Sequence, residues 1–137
     1  MLSITKKVYY GMSAIMELSS HYGNGLLQIK TIASRRSIPK NYLEQILNRM
    51  LKAGLVKSTR GNQGGYELSE TPDKITFLRV LEVLEGKIAL TDHWPEEDAV
   101  HHMLLRTESK IKSSLNCSIM ELAEAQKKLE NNLDYII

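Results

Sequence analysis

The chain has 137 residues, enough for one domain with a real core but too few for two comfortable ones. It is 42% hydrophobic and 25% charged, and this balance argues against a disordered polypeptide. No apolar run approaches the roughly 20 residues that span a bilayer, and the N-terminus lacks a secretory signal pattern, so we expect a cytoplasmic protein. The single cysteine, Cys117, excludes an internal disulfide framework.

Charge is distributed unevenly along the chain. Residues 1–70 carry ten Lys/Arg and four Asp/Glu, a net charge of +6, whereas residues 71–137 carry eight and twelve, a net charge of −4, which together give +2. A basic first half joined to an acidic second half suggests one part that binds anions and another with a different role. On charge alone, chance and solvated helix faces explain the asymmetry equally well.

Three helices are predicted in the first half. Residues 5–22 carry a broad apolar stripe at helical spacing, and a glycine-rich segment, residues 23–25, ends that helix. A short helix fits residues 28–36, and the turn at residues 37–39 leads into the clearest helix, residues 39–53. The core stripe of that helix is Leu43, Ile46, Leu47, Met50 and Leu51, and its opposite face carries Lys40, Asn41, Glu44, Gln45, Asn48, Arg49 and Lys52.

Two short strands are predicted next, at residues 55–60 and 65–69, around a loop whose glycines allow a hairpin. A helix over about 76–85 follows, which Thr76 is suited to cap and Gly86 to end. Because that helix is apolar nearly all round, we expect it to be buried between other elements.

The last two predicted helices span about 96–115 and 118–133, and the longer one has an acidic first turn at residues 96–98. Their apolar stripes are too narrow for a core of their own, so pairing with a second copy of the chain would bury them. The predicted interface residues are Val100, Leu104, Ile111 and Leu115, with Leu122, Leu129 and Leu133 on the final helix.

This order of elements is that of a winged helix-turn-helix: the sequence predicts a mainly α fold with a small β-hairpin and a long dimerisation helix. We place the winged domain at residues 1–86 and the connecting loop and dimerisation helices at 87–137. An α-helix fits the major groove of DNA, and a glycine-rich loop with Arg60 at its base suits the minor groove. The alternative is a solvated helix face beside an ordinary surface hairpin. Predicted contacts to the DNA backbone are Lys6, Lys7, Tyr9, Arg35, Arg36, Lys40, Tyr42, Arg49 and Gly64.

The segment "YLEQILNRMLKAGLVKSTRGNQGGYEL", residues 42–68, resembles the signature of the Rrf2 family of bacterial transcriptional regulators. The matching motifs are Tyr-Leu-Glu-Gln at 42–45, Gly-Leu-Val at 54–56, Arg-Gly at 60–61 and Gly-Gly-Tyr at 64–66. "ITKKVYYGMSAIMEL", from residue 4, and "SIMEL", from residue 118, are similar to the first and last helices of the family, so the resemblance covers nearly the whole chain.

The resemblance implies a homodimer whose long penultimate helices cross. It also implies that Asn41, Glu44 and Gln45 lie at base edges of double-stranded DNA and that Arg60 enters the minor groove. A carboxylate such as Glu44 accepts a hydrogen bond from cytosine N4 and repels misplaced phosphates. The alternative role for Glu44 is an ion pair with Lys40 on the helix surface.

The chain departs from the family in its cysteines. Many Rrf2 proteins carry three cysteines and a histidine between the fourth and fifth helices, and these hold an iron–sulfur cluster. Residues 86–101 here contain no cysteine, and Cys117 matches no ligand position of the family. We therefore expect no cluster of that type.

Other sensing devices remain open. His93, His101 and His102 are candidate metal ligands, although neighbouring histidines on a helix point about 100° apart, and solvated or packed histidines are the alternative. Cys117 is either a redox switch or a small residue in a packed turn. Trp94 either lines a pocket for a small effector or partner protein, or anchors its loop to the core.

Two other classes of function are alternatives to a sequence-specific dimeric regulator. One is a regulator that acts mainly by docking a partner protein, with weak or licensed DNA binding. The other is an enzyme, which we do not expect: the sequence has no nucleophile–base pairing, no phosphate loop after a strand and no paired-carboxylate pocket.

Overall fold

The computed structural model describes residues 3–136, with side chains described as far as residue 132, and it confirms a mainly α fold with one hairpin. The predicted interface residue Leu133 therefore lies outside the described side chains. In chain order the elements are α1 (Lys6–Ser20), α2 (Ile29–Arg36), α3 (Lys40–Lys52), β1 (Val56–Thr59), β2 (Gly65–Leu68), α4 (Phe77–Glu85), α5 (Ala99–Leu115) and α6 (Ile119–Ile136), with one 3₁₀ turn at Pro72–Lys74.

The core lies where α1, α2, α3 and α4 meet the hairpin, and the apolar stripes read from the sequence form it. The α1 residues Val8 and Ile15 are fully buried, as are Leu43 and Leu47 of α3. Helical periodicity places these side chains on one face of each helix, so the opposite face of α3 stays in solvent.

The turn between α2 and α3 is tight. Ser37 has a left-handed backbone, with φ of 54°, and the Ile38 amide donates to the Ala33 carbonyl at 3.0 Å. Pro39 then precedes the first residue of α3. This geometry fixes the angle between the two helices and directs the outer face of α3 away from the core.

The ends of the later helices correct one boundary. Thr76 caps α4 as predicted, accepting from the Arg79 amide at 3.1 Å. However, α5 begins at Ala99 and not at residue 96, because Asp98 is its N-cap and accepts from the His101 amide at 2.9 Å. The predicted acidic first turn therefore lies before the helix, where only Asp98 meets the free amides.

The expectation that α4 is buried between other elements holds for one side of the helix only. Val80, Leu81 and Leu84 are buried, but Leu78 and Val83 are only half-buried. The reason is that α4 packs closely against α1 and α3 on one side, whereas α5 passes it with few contacts.

The hairpin is antiparallel, with Val56 opposite Leu68 and Thr59 opposite Gly65. A third segment extends it, because Leu27 and Tyr66 exchange both backbone hydrogen bonds, at 2.9 and 2.8 Å. Gly65 is required there, since a Cβ at this position would lie 2.4 Å from the Leu27 carbonyl oxygen. The chain entering α2 is thus part of the hairpin.

The C-terminal helices differ in how they pack. α5 has no buried residue in the single chain, whereas Ile119 at the start of α6 belongs to the main core and its amide donates to the Ile75 carbonyl at 2.8 Å. The boundary at residue 86 stays a prediction, although the start of α6 packs with the first part. Within residues 3–136, no helix combines the length and the apolar character needed to cross a membrane.

Candidate nucleic-acid interface

The outer face of α3 presents amides and cations to solvent. Asn41, Glu44, Gln45, Asn48 and Lys52 are all exposed, while the other face of the helix is locked into the core. Amide side chains make paired hydrogen bonds to adenine edges, so this face has the chemistry of major-groove readout. The structure thus brings the three predicted base-contact residues of α3 onto one accessible surface.

A polar cleft of about 610 Å³ separates the start of α3 from the hairpin. One wall comes from α2 and α3 and the other from the two strands and their loop. It is lined by Gln28, Ile29, Lys30, Lys40, Asn48, Leu51, Ser58, Thr59, Arg60, Gly61, Gly64, Gly65 and Tyr66. Arg60 therefore shares a solvent-open cleft with the polar face of α3.

The wing (residues 55–69) has a compact loop. Arg60 is exposed and follows β1 directly. Gly64 is buried, its amide donates to the Gly61 carbonyl at 3.0 Å, and a Cβ there would lie 2.1 Å from the Thr59 carbonyl oxygen. Gly64, predicted to contact the DNA backbone, thus has its amide engaged inside the loop, and its glycine is needed for the fold of the wing.

The cations predicted near the start of α1 fall into two groups. Lys6 is exposed with its Nζ 5.8 Å from the Tyr10 ring centre, and Tyr10 packs edge-on against Tyr42 at 5.5 Å. Tyr9 is also exposed, at 65%. Because Tyr42 lies on the first turn of α3, this aromatic contact connects the N-terminal end of α1 with the start of that helix.

Lys7 and Arg49 have a different partner, the C-terminal end of α4. Arg49 Nη1 donates to the Leu84 carbonyl at 2.7 Å, and Lys7 Nζ lies 3.4 Å from the same oxygen and 3.7 Å from Glu85 Oε1. Cations near helix C-termini satisfy free carbonyls and offset the helix dipole. These two predicted phosphate contacts therefore already make a structural interaction.

Arg35 and Arg36 share one carboxylate. Arg35 Nη1 lies 3.0 Å from Glu17 Oε2, and Arg36 Nε lies 2.9 Å from Glu17 Oε1. Burial alone would raise the pKa of the Glu17 carboxyl, but the hydrogen bonds and charges of Arg36 and Arg35 outweigh it and hold the pKa below its ordinary value. Both guanidinium groups keep exposed surface, so the pairing orients them without hiding them.

Glu44 and Lys40 are not ion-paired. The salt bridges found among the described residues do not include this pair. The two residues are four positions apart on the helix, but the lysine precedes the glutamate, which is the less favourable order. Glu44 is exposed, with its carboxylate unshared by Lys40. The surface ion pair considered from the sequence therefore does not explain this residue.

Several polar residues of the cleft have no predicted contact with DNA in the sequence analysis, among them Asn48, Gln28 and Lys30. Asn48 is one turn from Gln45 on the same helix face, a signal that helical spacing could have supplied. Gln28 and Lys30 come from the start of α2, next to Leu27, and reach the cleft because Leu27 pairs with Tyr66. No local pattern in the sequence reveals that pairing.

The candidate metal ligands are not gathered into a site. Across residues 3–136, no group of three or more His, Cys, Asp or Glu side chains is arranged to hold a metal ion. The rings of His101 and His102 lie 6.0 Å apart and nearly perpendicular.

Trp94 is 40% exposed, and its Nε1 donates to Asp98 Oδ1 at 3.0 Å. It therefore anchors its loop to the start of α5 and not to the core, which corrects that expectation. The Asp98 carboxyl also accepts from the His101 amide, and these hydrogen bonds lower its pKa.

Comparison with known proteins gives a match to the Rrf2 family, described as iron-dependent transcriptional regulators, over residues 4–136. The HTH-type transcriptional regulator CymR of Bacillus subtilis is 35% identical over 88% of this chain and 88% of its own length. The HTH-type transcriptional regulator IscR of Aliivibrio salmonicida is 33% identical over 66% of this chain, and the matched segment is 54% of that protein.

Solved structures of CymR and IscR are also similar to this chain. The structure of CymR, the global cysteine regulator of B. subtilis, has a TM-score of 0.81 at 36% identity, and the match covers 91% of this chain and 98% of that protein chain. The structure of IscR from T. potens has a TM-score of 0.79 at 30% identity, covering 93% and 90%. Both likenesses therefore cover about nine tenths of this chain.

The donor groups of this chain do not fit an iron–sulfur cluster held by three cysteines. The chain has one cysteine, and Cys117 lies between α5 and α6, half-buried, with its Sγ 3.9 Å from the Leu115 carbonyl. The segment between α4 and α5 offers one histidine, His93, and carboxylates but no thiolate.

Sequence and structure thus agree on a helix-turn-helix protein whose relatives regulate transcription and are not enzymes. The match covers more than half of the chain and includes α3, the wing and both C-terminal helices. The chain belongs to the Rrf2 family of DNA-binding transcriptional regulators.

Proposed function

We propose that this protein binds a near-palindromic operator as a homodimer, with α3 in the major groove and the wing in the neighbouring minor groove. The observation that carries this proposal is the shared cleft, which is lined by Lys40 and Asn48 of α3 together with Arg60 of the wing, while Asn41 and Gln45 are exposed on the same face of α3 as Asn48. Such a protein would act in the cytoplasm, where it meets DNA.

Base readout in this proposal comes from Asn41, Glu44 and Gln45, and Asn48 joins them because it lies on the same exposed face. Arg60 would enter a narrow minor groove, whose negative potential is strongest over A·T runs. Lys6, Tyr9 and Lys40 are exposed around this surface and would contact phosphates.

Homodimer formation is supported by the surface of α5. Val100 is 40% exposed and Met103 44% exposed, and no residue of the helix is buried in the single chain. Leu104, Ile111 and Leu115 are half-buried along the same helix. A second copy packed along α5 would remove this apolar surface from water, at about 25 cal/mol per Å². A two-fold dimer would then match a palindrome with half-sites about 34–36 Å apart.

We also propose that DNA binding needs no cluster of the three-cysteine type. The single cysteine supports this part of the proposal, as does the lack, within residues 3–136, of any group of three or more His, Cys, Asp or Glu side chains that could hold a metal ion. A regulator with this donor set would bind its operator equally well with and without a chelator.

Selection of binding sites from random duplexes with the purified protein tests the proposal, run with and without chelator. We expect one near-palindrome in both pools, and its loss when Asn41 and Gln45 are both replaced by alanine. Gln126→Ala on α6, which also removes an exposed amide, is the matched control and should recover the same site.

Failure of the wild type to enrich any sequence would contradict specific binding and favour a regulator that docks a partner protein. Enrichment only in the pool without chelator would contradict the proposal that DNA binding needs no metal, and it would indicate that the histidines bind one. An unchanged site for the double variant would contradict readout by α3.

A further inference from the structure

We infer that Gln28 is a positioning residue that holds the wing at the angle needed for minor-groove reading, an inference that rests on the proposed function. Gln28 immediately precedes α2, and its side-chain Nε2 donates to the Asn62 main-chain carbonyl at 3.2 Å, across 34 residues of sequence. Asn62 lies in the loop at the tip of the wing, two residues after Arg60.

The wing needs such support because it is small. Its two strands have four residues each, and a two-stranded hairpin is at best marginally stable in water. The loop residues Gly61, Asn62 and Gln63 are all exposed, so no core packing holds them. The orientation of Arg60 therefore depends on contacts between the wing and the rest of the chain.

Two neighbouring residues of the α1–α2 connection supply those contacts at two heights. Leu27 exchanges both backbone hydrogen bonds with Tyr66 in the loop-side half of β2, and Gln28 bonds Asn62 in the loop itself. One attachment leaves the hairpin free to tilt about it, whereas two fix its direction. Gln28 also lines the cleft together with Lys40 and Asn48.

This arrangement links the two halves of the proposed readout. The carbonyl of Gln28 accepts the first hydrogen bonds of α2, from the Thr31 and Ile32 amides at 3.0 and 3.2 Å. Its backbone is thus fixed to the helix-turn-helix while its side chain holds the wing. Together with the Leu27–Tyr66 pair, Gln28 thus holds the spacing between α3 and Arg60, and so between the major- and minor-groove contacts.

Gln28→Met tests the inference, because methionine keeps the length and neutral charge of glutamine but cannot donate to Asn62. In the free protein we expect the Gly64 amide, which closes the loop onto Gly61, to exchange with solvent about two- to tenfold faster, as loss of one exposed hydrogen bond predicts. Gln126→Met, which removes a comparable amide donor on α6, should leave that exchange unchanged.

The DNA readout separates positioning from general destabilisation. Base pairs whose preference disappears in Arg60→Ala define the positions read by the wing. In Gln28→Met, preference should fall about two- to tenfold at those positions and stay unchanged at the positions read by α3.

Unchanged Gly64 exchange would overturn the inference, as would an equal loss of preference at every position. A wild-type protein that selects no sequence would overturn the proposed function instead. The exchange measurement, made without DNA, would then still support or overturn the attachment of the wing by Gln28.

Discussion

Arg49 Nη1 donates to the main-chain oxygen of Leu84 at 2.7 Å, joining α3 to the C-terminal end of α4. Although Arg49 lies on the polar face of α3, its guanidinium hydrogen-bonds a carbonyl of α4 that has no partner within α4. Two basic residues of α3, Arg49 and Lys52, thus have different surroundings, because Arg49 is hydrogen-bonded to α4 whereas Lys52, within the described residues, has no such partner and is exposed on the face that we propose meets DNA.

Replacing these two residues should therefore have different effects. Arg49→Ala should lower the free energy of unfolding by about 1–2 kcal/mol, since it removes a charged hydrogen bond to a helix end. Lys52→Ala should leave stability within about 0.5 kcal/mol and reduce the salt dependence of DNA binding by about one unit of slope. Urea unfolding and binding titrations at several salt concentrations measure the two quantities. Equal effects of the two variants on both would contradict this assignment.

The shared carboxylate of Glu17 predicts a loss of stability in acid. Its pKa is lower in the folded chain than in the unfolded chain, so the pairing contributes stability above the ordinary value of 4.5 and loses it as pH falls through the folded value. We expect Glu17→Gln to cost about 1–2 kcal/mol at pH 7, discounted for the exposed arginines, and progressively less below about pH 4.5.

Urea unfolding of the wild type and Glu17→Gln across this pH range measures the effect. Glu124→Gln, an exposed carboxylate on α6, is the control and should cost nothing measurable at either end of the range. A cost for Glu17→Gln that stays constant down to pH 3 would show that the carboxylate charge contributes nothing.

Gln45 is predicted to read one base pair in each half-site. Gln45→Ala should cost about 1–3 kcal/mol of discrimination at that position and leave the other positions unchanged, since an amide makes a paired contact to a single adenine. Competition binding with single-base variants of the selected site measures this. A uniform loss across all positions would indicate a phosphate contact instead.

The apolar side of α5 predicts a change of oligomeric state. Ile111→Glu should convert the dimer to a monomer at micromolar concentration, because it would place a charge against the apolar surface of a second copy. Ser109→Glu, on the opposite side of the same helix, adds the same charge outside the proposed interface and should remain dimeric. Sedimentation velocity distinguishes the two states, and a dimeric Ile111→Glu would move the interface elsewhere.

The elements that the sequence predicted well are those with local signals. The stripe of Leu43, Ile46, Leu47 and Met50 repeats within one helix, so its burial and the exposure of the opposite face follow from spacing alone. Thr76 lies next to the helix that it caps. The start of α5 was misplaced because three acidic residues precede Ala99 and only the last of them is the cap.

Tertiary contacts explain what the sequence missed. Arg49 and Leu84 are 35 residues apart, and Gln28 and Asn62 are 34 apart, so no periodicity connects either pair. From the sequence alone, Arg35, Arg36 and Arg49 are equivalent candidates for contacts to the DNA backbone. The folded chain gives each one a specific oxygen partner while part of its surface stays exposed, and only the three-dimensional arrangement separates these residues from cations such as Lys52 and Arg60, which have no such partner within the described residues.

Replacing A·T pairs of the selected operator by inosine·cytosine pairs tests the assignment of grooves most directly. An inosine·cytosine pair presents the minor groove of A·T but the major groove of G·C, because inosine lacks the guanine amino group. At positions whose base preference disappears in Arg60→Ala, we predict that binding tolerates the exchange. At positions whose base preference disappears in Gln45→Ala, we predict that binding weakens. Weakened binding at the Arg60 positions, or tolerance at the Gln45 positions, would contradict a wing in the minor groove and α3 in the major groove.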